Sequence, residues 1–573
     1  MAIKISFLGG NNYSRIGANA HLYEQINNHK VTSRFLIDCG ALFYTDKNKE
    51  LKIVPDIIKY LDFCPLKQER ASSLFKYFQK EKEKLSQKSK HTSLDGIFLT
   101  HIHEDHIGGI VELLKAGFLF PPIFASKETL SVLGRILIES NVPEMPDLIP
   151  IKNKVYLKDG TCISPFFVSH TASGAFGYYI LSENKTGILD MGDYNFSDTI
   201  LSEKTNLSSF LKDKIITHVL ADSTSSNHND LEPLLFETAV QNYLNVMKNT
   251  DKRIISATIS RSLENMASLL TAARQSGRKV FIDGFMQRLV YDELKNQNKL
   301  DVFESTVFNH EDVTKGDIKS FLKEVPLKKQ VIILSGAFAE GFNQKGNIRQ
   351  SGLARLANKV HLGFKLSHND LILLGQRAIP VENILKDMRQ MAKKLGEQNN
   401  NQIIQNETRE DFSLGPFEMH RFQRTGHATK LETQTLLALI LNERKNKEED
   451  LNLLPVHGDK NQLQNTANIA KDMGIQAKVL MNNESLVIEN TVNHLCKEED
   501  TLLYLAFQEE ENTGRTNAFL KIFLCAINKE DEENISFELK DLLLNKMLLI
   551  SERRHKNKLI QFHRMNLFKR ERE

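Results

Sequence analysis

The sequence predicts an α/β protein of more than one domain, and three observations carry the prediction. The first third of the chain alternates short apolar strands with turns. Residues 253–283 read as strand, helix and strand, the unit of a parallel sheet. At 573 residues the chain is also too long for a single core, so about two to four domains are expected.

Along the chain, residues 35–40 read as a buried strand ending at a loop. Residues 67–90 are highly charged with helical spacing and read as a surface insertion. Residues 97–99 form a buried strand, followed by helical patterns at 109–116 and 127–139. Residues 155–170 predict a hairpin turning at Asp159-Gly160, and 178–193 a second one turning through 184–187. After Asp222-Ser223-Thr224 come a strand at 253–258, a helix at 263–275 closed by Gly277, and strands at 279–283, 330–335 and 370–375. The polar, Asn-rich stretch 398–406 reads as a loop or linker. A helix at 431–444, a strand at 451–456 and a helix–strand pair reaching Met481 follow. The remainder reads as an α+β segment, and no repeat of fixed period is present.

Composition excludes several classes. Hydrophobic content of 41% and charged content of 26% are those of a globular protein. No apolar run approaches the roughly 20 residues that cross a bilayer, and the first residues lack the apolar core of a signal peptide. Cys39, Cys64, Cys162, Cys496 and Cys525 are scattered without a Cys-x-x-Cys pair, which suggests a reducing, cytoplasmic setting and no thiolate zinc site. A net charge of +3 does not announce nucleic acid. The basic tail 551–573 reads first as a solvated helix end, with phosphate contact as the alternative.

One run points to chemistry. Directly after the strand at 97–99 stands Thr100-His101-Ile102-His103-Glu104-Asp105-His106-Ile107-Gly108-Gly109. A strand ending in so many imidazoles and a carboxylate throws metal ligands into one space. Histidine suits zinc, and the added carboxylate allows a second ion. Completing a two-metal site needs ligands at later strand ends. His170, Asp193 and His457 each follow an apolar run, and glycines adjoin the last two. Each alone would read as structural; with the first cluster they repeat one pattern.

The series His101, His103, Asp105, His106, His170 and Asp193 resembles the metallo-β-lactamase superfamily. Asp222-Ser223-Thr224, Thr425-Gly426-His427-Ala428-Thr429 and Val456-His457-Gly458-Asp459 resemble the additional motifs of its β-CASP branch, and within that branch the ribonuclease J family. The resemblance covers Phe7 to roughly Met481. It implies an αββα metallo-β-lactamase sandwich interrupted by a β-CASP α/β domain, with a small C-terminal α+β segment. The corresponding boundaries are 1–225, 226–385, 386–490 and 491–573.

The resemblance further implies two Zn2+ ions, one on His101, His103 and His170, the other on Asp105, His106 and His457, with Asp193 bridging. Asp105 and His427 would serve catalysis. Gln423, Arg424, Thr425, Gly426, His427 and Thr429, together with Arg261 and Ser262, would bind substrate, and Asp38 and Asp222 would orient ligand imidazoles. The implied activity is hydrolysis of RNA, as endonuclease, 5′-to-3′ exonuclease or both. A DNA-directed nuclease, a small-molecule metallohydrolase and a non-catalytic RNA-binding paralogue are the alternatives. RNA is the expected partner and a membrane is not; the family allows a homodimer or tetramer and partners in an RNA-decay complex. Thr429-x-x-Glu432 is a capping-box pattern, whose helix N-terminus would offer free N–H groups to phosphate. Glu264 stands where the family has histidine, which implies weak selectivity for a 5′-monophosphate and a shift towards endonucleolytic cutting.

Overall fold

Two seven-stranded sheets and one six-stranded sheet organise the protein. The computed structural model describes residues 2–12, 17–41, 57, 60–63, 94–183, 185–196, 205–226, 234–257, 262–296, 306–309, 317–343, 350–361, 363–367, 370–375, 382–399, 401–407, 413–423, 425–489, 504–512 and 515–523. The expected insertion at 67–90 and the basic tail lie outside them. The chain divides into two units, Met1–Asn490 and Thr491–Glu573. In the second, Tyr504–Asn512 pairs antiparallel with Arg515–Phe523. Among the described residues no helix is long and apolar enough to cross a membrane.

The first sheet runs in the order Ser485–Glu489, Ala2–Gly9, Ala20–Asn27, Lys30–Ile37, Gly96–Phe98, Ile123–Ala125, Leu148–Pro150. The second contains Val155–Tyr156, Cys162–Phe167, Phe176–Leu181, Gly187–Asp190, His218–Asp222, Asn452–Val456 and Gln476–Ala477, in that order. Both expected hairpins are present. Alternation sorts the side chains. Ile3, Ile5, Phe7, Phe35, Ile37 and Phe98 from one sheet meet Ile163, Phe176, Tyr178, Ile188, Leu220 and Leu454 from the other. The opposite faces are equally apolar. Leu36 and Ile97 lie under helices Glu104–Lys115 and Lys127–Glu139; Leu189, Val219 and Leu453 lie under Lys430–Glu443 and Lys460–Asp472. The result is four layers, αββα, as the resemblance implied.

The third sheet is wholly parallel, in the order Lys279–Ile282, Gln330–Leu334, Ile254–Ala257, Leu371–Leu374, Gln402–Asn406, Glu418–His420. Its strands read as near-continuous Val, Ile and Leu because helices cover them. It is inserted between neighbours, since His218–Asp222 pairs in parallel with Asn452–Val456 and Asp222 stands opposite Val456.

Two expectations change here. Residues 402–406 are a strand and not a linker: Ile403 and Ile404 are buried, while Gln405 and Asn406 find partners outside the strand. Gln405 Nε2 donates to Gly415 O at 3.0 Å, and Asn406 Oδ1 accepts from Phe422 N at 2.7 Å. Consequently the sheet continues past residue 385, which falls within helix Glu382–Glu397. The helix expected at 109–116 starts earlier, at Glu104. Gly108 and Gly109 do not delay it; they are contact points inside it. A Cβ on Gly108 would lie 2.7 Å from Ala41 Cβ, and one on Gly109 2.6 Å from Gly40 O.

Candidate metal centre

His103 caps the helix at Glu104–Lys115, so the sequence run splits between two backbone states. His101 and His103 project from the extended segment after the strand, Asp105 and His106 from the first helical turn. Acidic Glu104 and Asp105 in that turn suit the positive end of the helix. Two other contributors sit on uncommon backbone: Asp38 has φ 60° and His457 φ 57°. Residues without a glycine's freedom hold such angles only where the surroundings over-determine them, and they concentrate at functional sites.

Two groups of ligand atoms result. In the first, His101 Nε2 and His170 Nε2 lie 2.9 and 3.1 Å from His103 Nδ1. In the second, Asp105 Oδ2 lies 2.9 Å from His457 Nε2 and 3.6 Å from His106 Nε2. Asp193 Oδ2 stands between them, 3.7 Å from His101 Nε2, 3.2 Å from His106 Nε2 and 3.5 Å from His457 Nε2. Within each group, Asp193 included, the ligand atoms lie within 4.8 Å of one another.

The far nitrogens are held. His106 Nδ1 is 2.7 Å from Asp38 Oδ2, whose carboxylate also takes Thr100 N and Oγ1 at 2.8 Å each. His170 Nδ1 lies 2.8 Å from Gly426 O, and His457 Nδ1 2.7 Å from Thr224 Oγ1. Partners of this kind fix the tautomer and aim the inner nitrogen.

These residues fit divalent cations. Asp193 Oδ2 is buried and accepts no hydrogen bond of good geometry, although imidazoles surround it. Burial and mutual repulsion hold His101 and His103 well below the usual imidazole value, and burial above all pushes His170 down to about 4. Three neutral imidazoles so close together present lone pairs to one another, an arrangement that a cation relieves. In the second group burial opposes protonation, but Asp193 and its neighbouring carboxylates outweigh it. His106 is held well above its ordinary value, and His457 is pushed up to about 9. Buried carboxylates there require positive charge, and a metal supplies it without a proton. All-nitrogen and oxygen donors with this much histidine suit zinc.

His427 belongs to a third grouping with Asp193, Asp222 and His457. Its Nδ1 lies 2.8 Å from Asp222 Oδ2 and 3.6 Å from Asp193 Oδ2, and its side chain is 24% exposed. Burial works against the charged imidazole, but Asp222 and Asp193 raise its pKa above the ordinary value. With Nδ1 taken, Nε2 is the nitrogen left for a substrate. The loop beneath is tight: a Cβ on Gly426 would lie 2.2 Å from His170 Cε1.

Comparison with known proteins agrees with this geometry. The Metallo-beta-lactamase superfamily model matches residues 78–123. Ribonuclease J2 of Bacillus subtilis (strain 168) is 24% identical over 387 residues, 66% of this chain and 61% of that protein. Ribonuclease J of Mycoplasma genitalium is 22% identical over 71% of this chain and 64% of its own. Ribonuclease J of Synechocystis sp. is 23% identical over 85% and 65%. The chain is thus similar to the metallo-β-lactamase superfamily over residues 78–123 and to ribonucleases J over most of its length. The matched stretch is less than two thirds of the length of these relatives. A crystal structure titled as a protein of unknown function from Enterococcus faecalis V583 shares the fold, with TM-score 0.50, 15% identity, and coverage of 85% of this chain and all of the other.

Against the substrate residues that the ribonuclease J resemblance implies, the placement is mixed. Thr425 Oγ1 accepts from His427 N at 3.2 Å, and Thr425 O from Asn195 Nδ2 at 2.9 Å. The backbone N of Gln423 donates to Asn406 Oδ1. Arg261 and Arg424 lie outside the described residues. Thr429 is buried, and its hydroxyl and N–H are both engaged with Glu432 in the capping box. The Glu432 carboxylate also takes Phe196 N at 2.8 Å. Ser262 is likewise buried, capping helix Leu263–Gln275 next to the Leu263 N–Thr171 O bond. Glu264, which stands where the resembled family has histidine, is a buried side chain in that helix's first turn.

Sequence reasoning gave no role to Asn19, Thr100 or Thr224. Asn19 Nδ2 lies 3.1 Å from His106 Nε2 and 3.2 Å from Asp105 O. Thr100 and Thr224 did stand within the quoted motifs, Thr100 before His101 and Thr224 two after Asp222.

Proposed function

We propose that this chain is a zinc-dependent ribonuclease that hydrolyses RNA phosphodiester bonds, as endonuclease, 5′-to-3′ exonuclease or both, in the cytoplasm. The observation that carries the reading is the placement of Asp193 Oδ2, buried without a hydrogen bond between two groups of imidazoles. His101, His103 and His170 would hold one ion and Asp105, His106 and His457 the other, with Asp193 shared. When bound, such a pair supplies Lewis-acid activation of water and neutralises charge on a transferring phosphoryl group.

The chain's own residues do the rest. Asp38, Thr224 and the Gly426 carbonyl orient the ligand imidazoles. His427, whose pKa Asp222 and Asp193 raise, meets the scissile phosphate and carries a proton from Nε2 to the departing oxygen. The nucleic-acid substrate is supported by the likeness to ribonucleases J. Homo-oligomers and RNA-decay partners are proposed on the same likeness. The domain division is proposed with one shift, the inserted part running to His420, where the third sheet ends.

The test uses one end-labelled RNA with a 5′-monophosphate, 5′-triphosphate or 5′-hydroxyl, against the matching DNA. Cleavage of RNA that chelation abolishes and zinc restores is the expected result. Absence of RNA cleavage by a zinc-loaded chain would overturn it.

A further inference from the structure

We infer that Tyr23, His21 and Asp190 form a clasp between the two facing sheets that positions Asp193 between the histidine groups, an inference resting on the metal-site reading above. Asp190 ends the strand Gly187–Asp190 and is 1% exposed. Its Oδ2 accepts the Tyr23 hydroxyl at 2.8 Å and lies 3.3 Å from His21 Nδ1. Its Oδ1 accepts from Gly192 N at 3.1 Å. That last bond fixes the turn leading to Asp193. Gly192 has φ 56°, and a Cβ there would lie 2.9 Å from Thr100 Cγ2, so the turn is pressed against the residue before His101.

The clasp also reaches the other half of the site. Tyr23 and His21 stand on Ala20–Asn27 of the first sheet, and the preceding Asn19 contacts His106 Nε2 and Asp105 O. One strand therefore grips Asp105 and His106 from the first sheet and, through Asp190, the loop that presents Asp193 from the second. The spacing between the ligand groups is set where the sheets are tied.

Stability alone does not call for this cluster. Its surroundings are Ile3, Ile5, Phe7, Ile180 and Ile188, and the His21 ring packs 5.3 Å from that of Phe7. A buried carboxylate among them costs desolvation that apolar residues of similar volume avoid. The return is geometric: a carboxylate is the one group that takes Tyr23, His21 and Gly192 N together.

The experiment compares the wild-type chain with Tyr23→Phe and Asp190→Asn. Zn2+ affinity is measured by competition with a chromogenic chelator, the visible absorption of Co2+-loaded protein reports the ligand field, and Tm is read in parallel. A roughly 10- to 100-fold loss of affinity for the more weakly held ion, with an altered Co2+ spectrum, is expected of both variants. Should Asp190→Asn fail to fold, Tyr23→Phe decides, because it removes one hydroxyl only. Variants that lose Tm yet bind Zn2+ and absorb as wild type would show a purely structural cluster and overturn the clasp. A wild-type chain that binds no metal would instead overturn the reading of the site on which it rests.

Discussion

Asp222 Oδ2 lies 2.8 Å from His427 Nδ1, while Asp222 Oδ1 accepts Thr224 N at 2.8 Å. One carboxylate thus holds the imidazole assigned to substrate and orders the threonine that supports His457. His427→Ala should retain both ions and the fold while losing roughly 100-fold or more in cleavage rate. Asp222→Asn should fall in rate and also weaken metal binding, because it disturbs both. Metal analysis beside single-turnover cleavage separates the two, and equal metal loss in both variants would count against distinct roles.

Asp193 is the ligand that both groups share. Asp193→Ala should release metal from a protein that otherwise carries roughly two ions per chain. Elemental analysis after gel filtration checks this; a variant as metal-rich as the wild type would remove Asp193 from the bridge.

His457 stands in the second group and not in the first, so its loss should be partial. His457→Ala leaves His101, His103 and His170 untouched and should keep about one ion while cleavage disappears. A titration showing both ions lost together would mean that the two groups assemble as a unit.

Gly426 has no room for a methyl group, since its Cβ would lie 2.2 Å from the His170 ring. Gly426→Ala should displace His170, lower metal affinity about 10- to 100-fold and reduce cleavage with it. Thr425→Ser keeps the hydroxyl that accepts His427 N and should behave as wild type in the same assays.

The third sheet has its own weak point. Arg253 Nη2 meets Asp370 Oδ2 at 2.6 Å, the two side chains being 5% and 1% exposed. Removing the arginine strands a buried carboxylate, so Arg253→Ala should cost about 3–5 kcal/mol in chemical denaturation. A loss below about 1 kcal/mol would mean that water reaches Asp370.

The candidate ligands stood out in the sequence because His101, His103, Asp105 and His106 fall within six positions, and because Asp193 and His457 end apolar runs and have glycine neighbours. What supports them was not. Asn19 meets His106 across 87 positions and Thr224 meets His457 across 233, and no local pattern announces such pairs. Local rules also failed where tertiary contacts reversed them. Gly108-Gly109 looked like a boundary until Cys39–Ala41 packed against it, and Gln405 and Asn406 looked loop-like because their partners come from 413–423. The capping pattern of Thr429 was legible because it is local: Thr429 and Glu432 stand three positions apart and close the box between themselves.

The parallel pairing of His218–Asp222 with Asn452–Val456 sets an order of events during synthesis. His101 leaves the ribosome some 356 positions before His457, which at roughly 5–20 residues per second is about 20–70 s. Through that interval the nascent chain lacks His457, the last member of the second group, and the second sheet lacks a strand that stands inside it. A chain built this way holds an incomplete candidate site while it is still being made. The two groups come together only after the inserted sheet has been made, with Ser485–Glu489 then returning to the edge of Ala2–Gly9.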